Sequence, residues 1–276
     1  MSEVLRSAFR RALRRDNRRA APRRGRLDRI DSFESAILGN SRKITVYLPP
    51  GYDDRDDRRY PVLYMQDGQN LFDPERAFIR GNHWRLGEAA DDAIGERTAS
   101  PMIIVGIDNA GIARVEEYTP TRDEKRNAGG RANDYGRMLI EELIPLIDRR
   151  YRTLPHETSI GGSSLGGLLS LFLVLRHPHL FRAGAVMSPS VWWDGRAILS
   201  EVDSSVQGER PRIWLDTGGK EGREALTDTR LLRERLMARG WNDETLRYVE
   251  DRRGDHSERA WAGRARPMLE FLFPPE

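Results

Sequence analysis

Ser159-Ile160-Gly161-Gly162-Ser163-Ser164-Leu165-Gly166-Gly167-Leu168-Leu169-Ser170-Leu171-Phe172-Leu173-Val174-Leu175 changes character at Ser164. Residues 159–163 read as a short strand; residues 165–175 are apolar on nearly every face, as a buried helix is. Gly162, Ser164 and Gly166 form G-x-S-x-G in one register only. That motif needs a strand, a tight turn and a helix: small neighbours let the two elements approach while a strained serine projects from the crossing. The hydroxyl then stands at a helix N-terminus, where free N–H groups favour a developing anion. A glycine-rich turn without chemistry is the competing reading, and the apolar strand and helix on either side argue against it.

Working outward, strand-like and helix-like segments alternate. Residues 43–48, 62–66, 102–107, 183–187, 213–215 and 246–249 read as strands, with 102–107 wholly apolar, as a central buried strand should be. Residues 84–94, 225–239 and 258–271 read as helices. Met138, Leu139, Leu143, Ile144 and Ile147 give one further helical stripe, which Pro145 should bend. The alternation predicts an α/β fold with a mostly parallel central sheet and helices on both faces. No repeat of fixed period appears, and a chain of 276 residues is long enough for a substantial core. One domain is expected over residues 27–276.

Residues 1–26 differ from the rest. They hold ten arginines against Glu3 and Asp16, a net +8 in a chain whose total is +3, so the remainder is mildly acidic at −5. Val4, Leu5, Ala8, Phe9, Ala12 and Leu13 fall at helical spacing, so this arm is either a basic amphipathic helix or a solvated extension. It lacks an apolar run of signal-peptide length, and no segment is apolar over a membrane-spanning length; a cytoplasmic location is expected. The chain has no cysteine, which excludes disulfides, thiolate metal sites and cysteine nucleophiles.

A serine hydroxyl needs a base, and the base needs a carboxylate to orient it. Of five histidines, only His256 lies well downstream of Ser164, in a loop between the last strand and the last helix. The acid should follow the strand at 213–215, where Asp216 at the strand end and Glu221 in the next loop both qualify. Strand-end carboxylates often bind their own loop, which favours Glu221. For the oxyanion, the backbone N–H of Leu165 is expected to act with that of Gln69, in the early loop where Gly68 lets the backbone come close. Trp192 and Trp193 are candidate walls of an acyl or aromatic pocket, or else core. Arg114 is a candidate for steering an anionic substrate group, or else pairs with Glu116 or Glu117.

The sequence also resembles a known family. Val62-Leu63-Tyr64-Met65-Gln66-Asp67-Gly68-Gln69-Asn70-Leu71-Phe72, Val105-Gly106-Ile107-Asp108-Asn109, Arg114 and Glu117-Tyr118-Thr119-Pro120 carry the likeness. It continues through Glu142-Leu143-Ile144-Pro145, the turn at Ser164, Ser188-Pro189-Ser190, Trp192-Trp193, and His256 with Trp261. These resemble the esterases of the α/β-hydrolase fold that include enterochelin-type siderophore esterases, feruloyl and acetyl-xylan esterases, and S-formylglutathione hydrolases. The resemblance covers most of the chain after the arm. It implies Ser164 as nucleophile, His256 as base, Glu221 after the turn Gly218-Gly219-Lys220 as acid, and Gly68-Gln69 as the oxyanion loop. The Asp67-Gly68-Gln69-Asn70 version is closer to the enterochelin-esterase side than to feruloyl esterases.

The expected activity is hydrolysis of a carboxylic ester through an acyl-enzyme, with a siderophore-type lactone or another small ester as substrate. No metal or organic cofactor is implied. The expected partner is a small-molecule ester, with no nucleic acid, and a homo-oligomer is compatible with the sequence. The alternatives are an acyltransferase on the same fold and a non-catalytic binding protein that keeps the hydrolase fold.

Overall fold

The computed structural model describes residues 23–275 except 56, 206, 207 and 209. Most of the arm expected over residues 1–26 lies outside the described residues. The elements are β1 (Arg26–Ser35), β2 (Asn40–Leu48), β3 (Tyr60–Gln66), α1 (Leu86–Gly95), β4 (Ile103–Ile107) and α2 (Arg114–Tyr118). A small hairpin of β5 (Arg122–Asp123) and β6 (Ala128–Gly129) follows, then α3 (Ala132–Arg137) and α4 (Ile144–Arg150). The chain continues through β7 (Thr153–Ser163), α5 (Leu165–Arg176), β8 (Phe181–Met187), α6 (Ile198–Ser204), β9 (Arg212–Gly218), α7 (Arg223–Ala238), β10 (Leu246–Asp251) and α8 (Glu258–Leu272).

Eight strands form one sheet in the order β1-β2-β4-β3-β7-β8-β9-β10. β1 with β2 and β2 with β4 run antiparallel, and every pair from β4 to β10 is parallel. The apolar strands bury both faces. Val62, Tyr64, Ile103 and Val105 face a core completed by Leu139, Phe172 and Leu232. Their neighbours Leu63, Met65 and Ile104 face a second core with Ala90, Ala93, Met268 and Leu269. This is the α/β-hydrolase arrangement that the resemblance implies. None of the helices among the described residues is long and apolar enough to cross a membrane.

Two departures from the sequence reading have local causes. β1 gave no strand signal because only Ile30, Phe33 and Ser35 of its ten residues are buried, and a register shift between Ile30 and Phe33 breaks the alternation. Such a charged, bulged strand protects the sheet edge from pairing with another chain. The stripe around Pro145 is an α3–α4 run joined by a π-helical turn at Met138–Leu143, with Pro145 in the first turn of α4. The wider turn accommodates the proline ring and its missing N–H.

α5 is buried at every position from Leu165 to Leu175. A helix held on all sides gives the serine before it a rigid base, and the C-terminal ends of the parallel strands bring four loops together above it.

Candidate active site

β7 enters the turn with Ser163, and Ser164 takes φ 57 and ψ −123, a conformation that costs a non-glycine residue on the order of 1–3 kcal/mol. The crossing leaves no room for side chains beside it. A Cβ on Gly162 would come within 2.8 Å of the Gly166 carbonyl carbon, and one on Gly166 within 3.0 Å of the Gln66 side chain. The Ser164 N–H bonds the carbonyl of Met187 at 3.0 Å and its carbonyl starts α5, so backbone on both sides fixes the strained residue.

His256 lies in the loop between β10 and α8, where Ser257 caps α8 through the Ala260 N–H. Its Nε2 is 2.9 Å from Ser164 Oγ, and its Nδ1 is 2.8 Å from Glu221 Oε2. The imidazole also stands edge-on to the Trp261 indole, centroids 5.0 Å apart at 81°. Glu221 sits in the turn after β9, which is tied to the histidine loop by Gly219 N–H to Asp251 O at 2.7 Å and Lys220 N–H to Gly254 O at 2.9 Å. Burial works to raise its carboxyl. Hydrogen bonds from His256, the Ser188 hydroxyl and the Gly218 N–H outweigh that and hold it below the ordinary value.

Asp216, the other candidate acid, is directed elsewhere. It is fully buried, accepts from the Trp214 indole N–H at 2.7 Å and from the Ser188 N–H at 3.1 Å, and pairs with Arg264 at 3.1 Å. Complete burial raises its carboxyl above the ordinary value, against the pull of Arg264 and the two N–H groups.

In the loop after β3, Asp67 is left-handed at φ 56 and a short 3-10 turn spans Gly68–Asn70. A Cβ on Gly68 would meet the Gly106 carbonyl carbon at 2.5 Å, so only glycine lets the loop lie on β4. Asn109 donates its side-chain amide to Asp67 Oδ1 at 2.7 Å and its backbone N–H to Gln69 Oε1 at 3.2 Å. Among the described residues, the N–H groups of Gln69 and Leu165 are taken by no acceptor.

Arg114 does not make the pairing with Glu116 or Glu117 that was the alternative to a substrate role. Arg114 binds both Asp67 oxygens, because Glu117 is buried against Arg42 at 3.0 Å and Glu116 receives the Gly129 N–H at 2.9 Å. Of the tryptophans, Trp192 is 41% exposed and lies under Arg126, whose guanidinium carbon is 4.8 Å from the ring centroid. Trp193 belongs to the core instead of the rim: it is buried, and its indole N–H donates to Thr121 O at 3.0 Å. The left-handed kink at Asp194 and Gly195 turns the chain there.

Three residues around Glu221 had no role in the sequence reading: Ser188, Trp261 and Arg264. The first two appeared only as points of resemblance. Arg264 had a legible signal, being an arginine on the apolar side of the last helix, where Ala265, Met268 and Leu269 are buried.

Solved structures share the architecture. The Bacillus cereus BES protein superposes with a TM-score of 0.72 at 22% identity, covering 89% of this chain and 94% of that one. The enterobactin esterase FES of Shigella flexneri gives 0.71 at 20% identity over 91% of this chain and 61% of that one. In sequence, YbbA of Bacillus subtilis is 27% identical over 256 residues, 88% of this chain and 96% of its own. The iron(III) salmochelin esterase of Escherichia coli is 27% identical over 248 residues, and the matched region is 53% of that protein's length. The family model described as "Putative esterase" matches residues 35–272, and the chain belongs to that family.

Proposed function

We propose that the protein hydrolyses small carboxylic esters by a Ser164–His256–Glu221 triad. The observation that carries the reading is the hydrogen-bonded chain from Ser164 Oγ through both imidazole nitrogens to Glu221, at 2.9 and 2.8 Å. His256 takes the hydroxyl proton as Ser164 attacks the ester carbonyl, and the Gln69 and Leu165 N–H groups bind the oxyanion. His256 then protonates the departing alcohol. Water attacks the acyl carbon as the same imidazole takes its proton, and the imidazolium returns that proton to Ser164 Oγ as the acid is released. Glu221, held as an anion, stabilises the imidazolium in both steps.

For the substrate, the siderophore esterases among the relatives favour a lactone of siderophore type, and the exposed Trp192 beneath Arg126 offers a flat, cationic-edged surface for an aryl acyl group. A fluorophosphonate probe and an ester panel (short-chain nitrophenyl, feruloyl, acetyl-sugar, siderophore lactone) test the reading together. Labelling at Ser164 with turnover of at least one ester is expected. No labelling and no turnover would leave a non-catalytic binding protein, and ester product formed preferentially from an added alcohol would make it an acyltransferase.

A further inference from the structure

We infer that Ser188 is a positioning residue for the triad acid, its hydroxyl proton forced onto Glu221 so that Glu221 meets His256 only as an acceptor. The inference rests on the Ser–His–Glu reading above. Ser188 Oγ lies 2.5 Å from Glu221 Oε1, 3.0 Å from Trp261 Nε1 and 3.0 Å from Arg264 NH2. An indole N–H and a guanidinium can only donate. Together they occupy both lone pairs of the hydroxyl, and its one hydrogen has a single acceptor left, Glu221 Oε1.

That oxygen also receives the Gly218 N–H at 2.7 Å. With two donors aimed at it, Oε1 has no room for a proton of its own, and Oε2 is left to accept from His256 Nδ1. The imidazole therefore carries its hydrogen on Nδ1 and presents the Nε2 lone pair to Ser164, the tautomer a general base requires.

The surroundings are built to keep Ser188 in place. Its backbone is left-handed at φ 41, unusual for a serine, and its N–H is held by both the carbonyl and the carboxylate of Asp216 at 3.0 and 3.1 Å. Arg264 is buried and pairs with Asp216 and with Asp251 as well as reaching Ser188. Trp261 touches both Ser188, through its N–H, and the imidazole of His256, through its ring. Asp216 thus has a role without being the acid: it holds the Ser188 backbone N–H and Arg264, one of the two donors that orient the Ser188 hydroxyl.

Steady-state kinetics of Ser188→Ala and Ser188→Gly test this, glycine being the variant that suits the left-handed backbone. Both should lose roughly 10- to 100-fold in kcat, the usual effect of removing an outer hydrogen bond that orients an active group, with KM within about twofold. In a Glu221→Gln background the Ser188 substitution should cost nothing further, because the group it orients is gone. A folded Ser188→Gly protein with kcat within about twofold of the unsubstituted protein would overturn the inference, as would losses that multiply in the double variant. Fluorophosphonate labelling of the unsubstituted protein separates the two levels. Its absence would overturn the triad reading and this inference with it, whereas normal labelling beside unaffected Ser188 variants would overturn this inference alone.

Discussion

Arg114 grips Asp67 through two parallel bonds, Nε to Oδ1 at 2.7 Å and NH2 to Oδ2 at 2.8 Å, and Asp67 is the left-handed residue from which the proposed oxyanion loop turns. The fork restrains a strained backbone one residue before Gly68, so the arginine is expected to act on the loop in place of a substrate charge. Arg114→Lys keeps the charge and loses the fork. It should lower kcat roughly 10-fold for neutral and anionic esters alike and cost about 2 kcal/mol of stability, the scale of a charged hydrogen bond lost at a partly buried site. A KM increase confined to anionic esters, with kcat unchanged, would return Arg114 to the role of substrate anchor.

Ser164 and Ser163 are neighbours of the same type in opposite situations. Ser163 ends β7 and is buried, whereas Ser164 holds the strained turn and reaches His256. Ser164→Ala should lose on the order of 10⁴-fold in turnover and all probe labelling. Ser163→Ala should stay substantially active. Reversed phenotypes would mean that the wrong serine has been placed at the turn.

How much of this was legible follows from where each feature keeps its signal. The turn at Ser164 is local: glycines, serine, strand and buried helix adjoin in sequence, so the motif could be read without the fold. His256 was legible by elimination among few histidines. The choice of Glu221 over Asp216 rested on strand-end behaviour and family likeness, since the contacts that occupy Asp216 come from β8, β9 and α8. Of the two readings of Arg114, the ion pair with Glu116 or Glu117 rested on sequence proximity alone, while its actual partner Asp67 lies 47 residues away. β1 stayed hidden because an edge strand with seven residues not buried leaves no apolar pattern to read.

Amide substitutions distinguish the two carboxylates by how they fail. Glu221→Gln keeps the shape but presents a donor toward His256 Nδ1, favouring the wrong tautomer, and should cost roughly 10³–10⁴-fold in kcat with little change in KM. Asp216→Asn puts an amide among donors, the Trp214 N–H, the Ser188 N–H and Arg264, so one oxygen acceptor is lost in a fully buried site. Its melting temperature should fall by several degrees, which calorimetry would read. A stable Asp216→Asn protein with collapsed kcat, beside an active Glu221→Gln, would transfer the acid to Asp216.

The basic arm is expected to be dispensable for chemistry. Deleting residues 1–22 stops short of Gly25, whose N–H bonds Asp91 Oδ1 at 2.7 Å, and of Arg26, where β1 begins. Melting temperature and small-ester kinetics should be unchanged within error. A loss of solubility, of stability or of an oligomer seen by light scattering would show that the arm packs on the domain or joins copies of it.

The acid stability of the far edge of the sheet should depend on Glu250. On β10 it receives Arg230 of α7 through both oxygens at 2.7 and 2.8 Å and the Tyr248 hydroxyl at 2.7 Å. The hydrogen bonds from Arg230 and Tyr248 pull its carboxyl down from 4.5 to about 2. A carboxyl depressed on folding favours the native state most when ionised in both states, so its contribution is complete above the ordinary value. It shrinks as pH falls from 4.5, where the unfolded chain takes up the proton first, and vanishes below about 2. Glu250→Gln should therefore melt lower than the unsubstituted protein at neutral pH, by a modest amount because Arg230 is 55% exposed and solvent screens the pair. Between pH 4.5 and 2 the two melting curves should converge. A difference in melting temperature that stays constant across that range would mean that packing, and not charge, is what Glu250 contributes.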